Sequence, residues 1–178
     1  MYLTIDSSYG KNSKVAVPGE TTSFFSFLIN TSTMASLFSR SIAITELLAR
    51  AAYGYDHPDV NMLEECFNEN AVFSLRIAAE GLIGPFHPRS AIMQLMTDSM
   101  EQQTDKRRHV ISNIFFNASD DSPIGFGEAI QVISNLTLFA TENNQIETIS
   151  AGVYTDTVAC VDGKWEIVKR HLDLDKAY

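Results

Sequence analysis

The segment RRHVISNIFF, residues 107–116, constrains the fold most, because it has the composition of a strand that is buried on both faces. Alternate residues of a β-strand face opposite sides. One side holds His109, Ile111, Asn113 and Phe115, and the other holds Val110, Ser112, Ile114 and Phe116. Both sides are largely apolar, so the segment predicts a sheet that is covered on two faces. A histidine that points into such an interior needs a hydrogen-bonding partner or a chemical role.

Helical periodicity precedes this strand, and strand periodicity follows it. Helices are expected at about 41–55 and at 89–103. Between them a short helix is expected, which Asp59 caps and in which Leu63 and Phe67 face inward. Strands are expected at 71–77, 109–116, 124–140, 147–161 and 164–172, with an Asp-Gly hairpin turn in VDGKW. This order predicts an α+β fold in which three N-terminal helices and a strongly curved antiparallel sheet enclose a pocket.

Composition divides the chain into two parts. Thirteen of the first forty residues are Ser or Thr, with few charges and no clear period, so we interpret residues 1–38 as a flexible extension and 39–178 as one domain. The extension lacks the features of a signal peptide or a membrane span. Cys66 and Cys160 have no metal-ligand spacing and are expected to be reduced core residues, which fits a cytoplasmic protein.

The charge pattern and the absence of known motifs exclude several classes of function. A net charge of −9 argues against binding to nucleic acid or to an anionic membrane, both of which need clustered cations. The four histidines show no metal-ligand spacing, and no nucleotide-binding motif is present. We therefore expect no metal, no cofactor and a small-molecule partner.

Strands with two apolar faces also predict a homodimer or homotrimer that forms through the outer face of the sheet.

Four segments taken in order resemble a known family. YGYDHPDVNMLEECF, GLIGPFHPRSAI, RRHVISNIFF and VACVDGKWEIVKRH together are similar to the NTF2-like α+β cone fold, and within it to the branch of scytalone dehydratase and the SnoaL-like polyketide cyclases. The resemblance covers about residues 41–173. It implies a cavity between sheet and helices in which side chains alone catalyse proton transfer, elimination of water, isomerisation or ring closure.

The resemblance also implies catalytic residues. The dehydratase has a Tyr-Asp pair at the end of its first helix, where this chain has Tyr55 and Asp56, and a histidine at the start of the strand after the third helix, where this chain has His109. An aspartate that binds one imidazole nitrogen leaves the other nitrogen free to take a proton near neutral pH. Asp56 and His109 are therefore the candidate acid–base pair.

Other positions depart from the dehydratase pattern. Where the dehydratase has a tyrosine, a second histidine and an asparagine, ungapped alignment gives Leu75, Ile133 and Tyr154, which are candidate binding residues. Tyr154 is expected to donate to a developing enolate oxygen. Asn113 shares a strand face with His109 and is a candidate binding residue. Tyr53 is also a candidate, although Tyr53 and Tyr55 cannot both face the pocket, because residues two apart on a helix point in different directions.

The sequence leaves alternatives open. The main hypothesis is a cofactor-independent dehydratase, isomerase or cyclase acting on a polyketide or terpenoid intermediate of secondary metabolism. A second is a pericyclase of the hetero-Diels–Alder type that acts on a quinone methide formed by dehydration, and a third is a non-catalytic ligand-binding module. Two structural roles compete with catalysis, because Asp56 could simply end the first helix and His109 could be a hydrogen-bonded core histidine.

Overall fold

The computed structural model describes residues 23–117 and 129–178. The elements in chain order are α1 (Ser23–Asp56), α2 (Val60–Glu64), β1 (Phe67–Ile77), β2 (Ile83–Phe86), α3 (Arg89–Glu101), β3 (Lys106–Phe116), β4 (Ile130–Glu142), β5 (Gln145–Val161) and β6 (Lys164–Leu174). The strands form one curved six-stranded sheet in the order β2-β1-β6-β5-β4-β3, in which only the β1–β6 pair is parallel. The α+β fold predicted from the sequence is confirmed.

The chain divides into two compact units, Met1–Leu37 and Phe38–Tyr178, and the second contains the sheet. Helix α1 begins at Ser23, whereas the apolar periodicity placed its start near residue 41. The expectation that residues before 41 lack helical structure is therefore wrong from residue 23 onward. No proline or glycine occurs between Gly19 and Gly54, so nothing in the sequence interrupts a helix there. The part of the expected extension formed by residues 1–22 lies outside the described residues.

The other helices and the hairpins follow local signals. Asp59 caps α2, because its Oδ1 accepts from the backbone N–H of Met62 at 3.0 Å. Asp162 and Gly163 both have positive φ, as a two-residue hairpin turn requires, so this predicted turn is confirmed. The β4–β5 turn uses Asn143 and Asn144 in the same way.

No strand was expected between residues 77 and 89, but residues 83–86 form the short edge strand β2. An edge strand tolerates Gly84 and Pro85, because only one of its sides needs backbone hydrogen bonds. Phe67, which was expected on the second helix, instead begins β1 and is fully buried. The expected strand residues 124–128 lie outside the described part of the chain.

The core lies between α1, α2, α3 and the inner face of the sheet. Its largest fully buried side chains include Ile44, Leu48, Leu63, Phe67 and Ile92. Each such side chain contributes roughly 1.5–3 kcal/mol through burial. Cys66 belongs to this core, and burial raises the pKa of its thiol above the ordinary value, so it is held as a neutral apolar group.

β-Bulges in β3 and in β6 change which side chains of these two strands reach the inner face. Between β3 and β4 the register shifts after Ser112, where Asn113 has φ +49°. Between β5 and β6 the register shifts between Thr157 and Val158. Each bulge adds one residue to one strand and so reverses the inward and outward alternation beyond it.

Candidate active site

A cavity of about 220 Å³ lies between the helices and the inner face of the sheet. Most of its wall is apolar, and the apolar side chains include Leu48, Phe73, Leu75, Leu95, Met96 and Leu172. Its polar side chains are Tyr55, Ser99, His109, Tyr154, Arg170 and Tyr178. An apolar cavity with a few polar groups is typical of small-molecule sites.

Asp56 and His109 form a two-point contact at this cavity. Asp56 is the last residue of α1, and its Oδ2 accepts from the backbone N–H of His109 at 2.8 Å. Its Oδ1 lies 2.6 Å from His109 Nδ1. The side chains of His109 and Asp56 are only 8% and 6% exposed, so water competes little for these bonds.

The geometry fixes the tautomer of His109. An ionised carboxylate can only accept hydrogen bonds, so Nδ1 carries the proton and donates to Asp56. The other ring nitrogen, Nε2, then has a free lone pair, and the His109 side chain lines the cavity. This arrangement can accept a proton at Nε2, and Asp56 stabilises the imidazolium that results.

Tyr55 supports the His109 ring from the side. The two rings meet edge to face, with their centroids 5.0 Å apart and their planes at 75°. The Tyr55 hydroxyl donates to Ser99 Oγ at 2.7 Å and accepts from Gln103 Nε2 at 3.1 Å. Tyr55 thereby joins the end of α1 to the end of α3, and it limits the movement of the imidazole.

Leu75 and Tyr154, both predicted as binding residues, line the cavity. Tyr154 is only 8% exposed, and burial raises the pKa of its hydroxyl well above the ordinary value. The phenol therefore stays protonated across the physiological range, so it is available as a hydrogen-bond donor.

Three other predicted binding residues do not line the cavity. Tyr53 is 53% exposed and stacks on His57, with ring centroids 3.9 Å apart, because it lies on a different side of α1 from Tyr55. Asn113 is exposed because the bulge at this residue turns its side chain away, so that Ile114 rather than Asn113 packs on the core.

Ile133 is the third of these residues. It alternates along β4 with Val132 and Ser134, which are buried on the inner face, so its own side chain lies on the opposite face. Its partner across the β3–β4 pair, Phe115, is 52% exposed on that outer face. The ungapped alignment that gave Ile133 is off by one residue, because the adjacent positions Val132 and Ser134 face inward.

Sequence reasoning missed a second polar pair, Asp156 and Arg170. Arg170 Nε and Nη2 each donate to one carboxylate oxygen of Asp156, both at 2.8 Å. Burial by itself would lower the pKa of Arg170, but the Asp156 carboxylate raises that pKa above its ordinary value. The guanidinium lies 4.5 Å from the centroid of the Tyr154 ring, which adds a cation–π contact.

Tyr178 is a further lining residue that the sequence did not reveal. The Arg107 guanidinium lies 4.7 Å from the centroid of its ring, and Arg107 Nε also donates to Asp105 at 2.9 Å. Burial raises the pKa of the Tyr178 hydroxyl, although half of the whole residue is exposed.

Among residues 23–117 and 129–178, no group of three or more His, Cys, Asp or Glu side chains is placed to hold a metal ion. None of the described helices is both long enough and apolar enough to span a membrane.

Comparison with known proteins agrees with this fold. An NTF2-like protein of Novosphingobium aromaticivorans with a cystatin-like fold superimposes with a TM-score of 0.67 at 17% identity, covering 83% of this chain and 89% of that one. ActVI-ORFA from Streptomyces coelicolor gives 0.61 at 17% identity, with coverages of 76% and 97%. A Novosphingobium aromaticivorans protein proposed to be a scytalone dehydratase gives 0.59 at 20% identity, with coverages of 81% and 87%. At these identities the likeness defines the fold class, which is NTF2-like.

The family itself follows from the sequence. A profile of the SnoaL-like domain matches residues 39–171, which is most of the chain. The protein therefore belongs to the SnoaL-like family within the NTF2-like superfamily, as the resemblance predicted. No curated protein matches the chain by sequence.

Proposed function

We propose that this protein is a cofactor-independent dehydratase, isomerase or cyclase that acts on a polyketide or terpenoid intermediate of secondary metabolism. The observation that carries the proposal is the two-point contact between Asp56 and His109 at the wall of an apolar cavity. Membership of the SnoaL-like family supports it. A module that only bound ligands would not need a histidine held in one tautomer with its second nitrogen free.

The chemistry begins with proton transfer to His109. Nε2 takes a proton from a carbon next to a substrate carbonyl, and the electron pair of that C–H bond moves to the carbonyl oxygen as an enolate. The Tyr154 hydroxyl is the proposed donor to this oxygen. Asp56 stabilises the imidazolium, which holds the proton until the second step.

The second step decides the class of reaction. If a hydroxyl group lies β to the carbonyl, the enolate expels it, and the imidazolium proton completes a molecule of water. If the proton returns to a different carbon, the product is an isomer. If the enolate carbon attacks an electrophilic carbon of the same substrate, a ring closes and the proton neutralises the new alkoxide. All three outcomes use the same base and the same cavity.

The cavity restricts the substrate. A volume of about 220 Å³ with a mostly apolar wall suits a small oxygenated molecule. The same wall would suit the pericyclase alternative, in which the cavity selects one conformation of a reactive substrate. That alternative requires no proton transfer in the cycloaddition itself, so loss of the base separates the two hypotheses.

The test uses hydrogen–deuterium exchange of 1-tetralone, an enolisable bicyclic ketone, followed by NMR in D₂O. We expect the wild-type protein to accelerate exchange at the carbon next to the carbonyl, and His109→Ala to remove about 10² to 10⁴ of that acceleration. His171→Ala is the matched control, because His171 also lies near an aspartate, Asp173, but outside the cavity lining. Equal exchange rates in wild type and His109→Ala would contradict the proposed base.

We also propose that the protein is a homodimer or homotrimer. The outer face of the sheet exposes the apolar side chains of Val110, Phe115 and Val153, which a second copy would cover. Light scattering at micromolar concentration tests this, and a mass near 19.8 kDa would contradict it.

A further inference from the structure

A guanidinium lies in the wall of an otherwise mostly apolar cavity. Arg170 is 6% exposed, and its neighbours on the inner face of β6, Leu172 and Leu174, line the same cavity. A buried ion pair is expensive to desolvate and is often no more stabilising than apolar side chains of similar volume. Packing alone therefore does not explain why a charge is present at this position.

Only one member of the ion pair, Arg170, lines the cavity. Asp156 is fully buried and does not line the cavity, whereas Arg170 does. The negative end of the pair is thus sealed inside the protein, and the positive end faces the ligand space. The two bonds to Asp156 use Nε and Nη2, so the third nitrogen, Nη1, stands outside the ion pair. Arginine can donate through all three nitrogens.

A second donor lies beside it. The Tyr154 ring stacks on the guanidinium at 4.5 Å, and its hydroxyl stays protonated because it is buried. Both side chains line the cavity, on neighbouring strands. A charged donor and a neutral donor on one wall form a site for an electron-rich oxygen.

We propose that Arg170, held in place by Asp156, binds an acidic oxygen of the substrate as a phenolate, enolate or carboxylate. This inference rests on the proposed function for its location, and it adds the class of substrate: a small aromatic or enolisable molecule with one ionisable oxygen. For an enolisable substrate this oxygen is a carbonyl oxygen until His109 removes the neighbouring proton, and the electron pair of the C–H bond then makes it the enolate oxygen. The enolate is stabilised there until the leaving group departs or a carbon is protonated.

The experiment compares two probes of nearly the same shape, 4-nitrophenol and 4-nitroanisole, at a pH at which much of the phenol is ionised. Binding is measured by calorimetry, and the absorbance of the phenolate reports how much of the bound phenol is ionised. We expect wild type to prefer the phenolate and to increase its ionised fraction on binding. A hydrogen bond to a charged group corresponds to about 10- to 100-fold in affinity. A wild-type protein without this preference would overturn the proposal.

The decisive variant replaces both members of the pair, Arg170→Met with Asp156→Leu, so that no unpaired charge remains buried. We expect it to lose the preference for the phenolate while its affinity for 4-nitroanisole changes by less than about threefold. Retention of the preference would overturn the proposal. If this variant does not fold, Arg170→Lys decides, because lysine keeps the charge but lacks the planar fork. A reduced preference would then support the proposal, and an unchanged one would overturn it.

His109→Ala separates this inference from the proposed function. It should keep the preference for the phenolate, because Arg170 and Tyr154 are intact, while it loses deuterium exchange of 1-tetralone. If His109→Ala keeps the exchange activity but the Arg170 variants lose the preference, the proposed base is wrong and the anion site stands. If the exchange depends on His109 but the preference does not depend on Arg170, the proposed base stands and the anion site is wrong.

Discussion

Two aspartates hold two basic side chains at the wall of one cavity, and the two pairs are built differently. Asp56 and His109 connect the end of a helix to a strand, and both side chains keep a small exposed area. Asp156 and Arg170 are opposite each other on neighbouring strands, and Asp156 has no exposed area. Histidine can release its proton near neutral pH, whereas arginine cannot.

This difference in construction assigns different roles to the carboxylates of Asp56 and Asp156. Asp56 selects which nitrogen of His109 carries a proton, so its contribution concerns reactivity. Asp156 neutralises a charge that is present at all pH values relevant to the protein, so its contribution concerns the free energy of unfolding. Asp56→Asn should therefore act mainly on turnover, whereas substitutions in the Asp156–Arg170 pair should also change the free energy of unfolding.

The largest expected effect is on turnover. His109→Ala should lower the rate by about 10² to 10⁴, and Asp56→Asn should lower it nearly as much, because an amide does not stabilise the imidazolium. The double variant should be little worse than either single variant, since each residue acts through the other. Rates of 1-tetralone exchange check this, with His171→Ala as the control.

Two outcomes would contradict this prediction. Full exchange of 1-tetralone in the double variant would mean that a different group removes the proton, which contradicts the proposed base. Loss of the folded state, seen by circular dichroism, would mean that Asp56 and His109 are mainly structural.

The second effect is on stability. Arg170→Met should lower the free energy of unfolding by about 3–5 kcal/mol, because it leaves the Asp156 carboxylate buried without a partner. Adding Asp156→Leu should restore most of this loss. Urea denaturation of the single and double variants measures both values. If Arg170→Met unfolded at the same urea concentration as wild type, the pair would not have the structural role assigned to it.

The two pairs also differ in how well the sequence predicted them. Helical and strand periodicity placed Tyr55, Asp56 and His109 near element boundaries, and the resemblance to scytalone dehydratase implied that Asp56 and His109 meet. Asp156 and Arg170 depend on the β5–β6 bulge. Counting back from the Val161–Lys164 pair at the turn would place Asp156 opposite Lys169, so the ion pair could not be predicted without the extra residue in β6.

A bulge also explains the error at Asn113 in β3, whereas the error at Ile133 in β4 came from the ungapped alignment. Alternation within each strand predicted the cavity positions of His109 and Ile111 correctly, because both precede the bulge at Asn113. Beyond it the sequence pattern gives the wrong face. A bulge is stabilised by contacts between strands, and those contacts are absent from the local sequence.

The third prediction concerns alkaline pH. Because burial raises the pKa of Tyr154 in the folded state, its stabilising effect is complete below the unfolded value of about 10 and is lost as pH rises above it. Stability should fall by up to about 1.4 kcal/mol per pH unit from this residue alone. The slope should be smaller in Tyr154→Phe and unchanged in Tyr53→Phe, because Tyr53 is exposed. Equal slopes in wild type and Tyr154→Phe would show that ionisation of this buried phenol is not linked to unfolding.

The smallest expected effect tests how the His109 ring is held. Tyr55→Phe keeps the edge-to-face contact but removes the hydrogen bonds with Ser99 and Gln103, so the free energy of unfolding should fall by about 1 kcal/mol. Turnover should fall only a few-fold, because Asp56 still fixes the tautomer, and the KM for 1-tetralone should change little. Ser99→Ala removes one of the same bonds from the other side and is the matched control. A loss of turnover as large as that of His109→Ala would mean that the Tyr55 hydroxyl takes part in proton transfer itself.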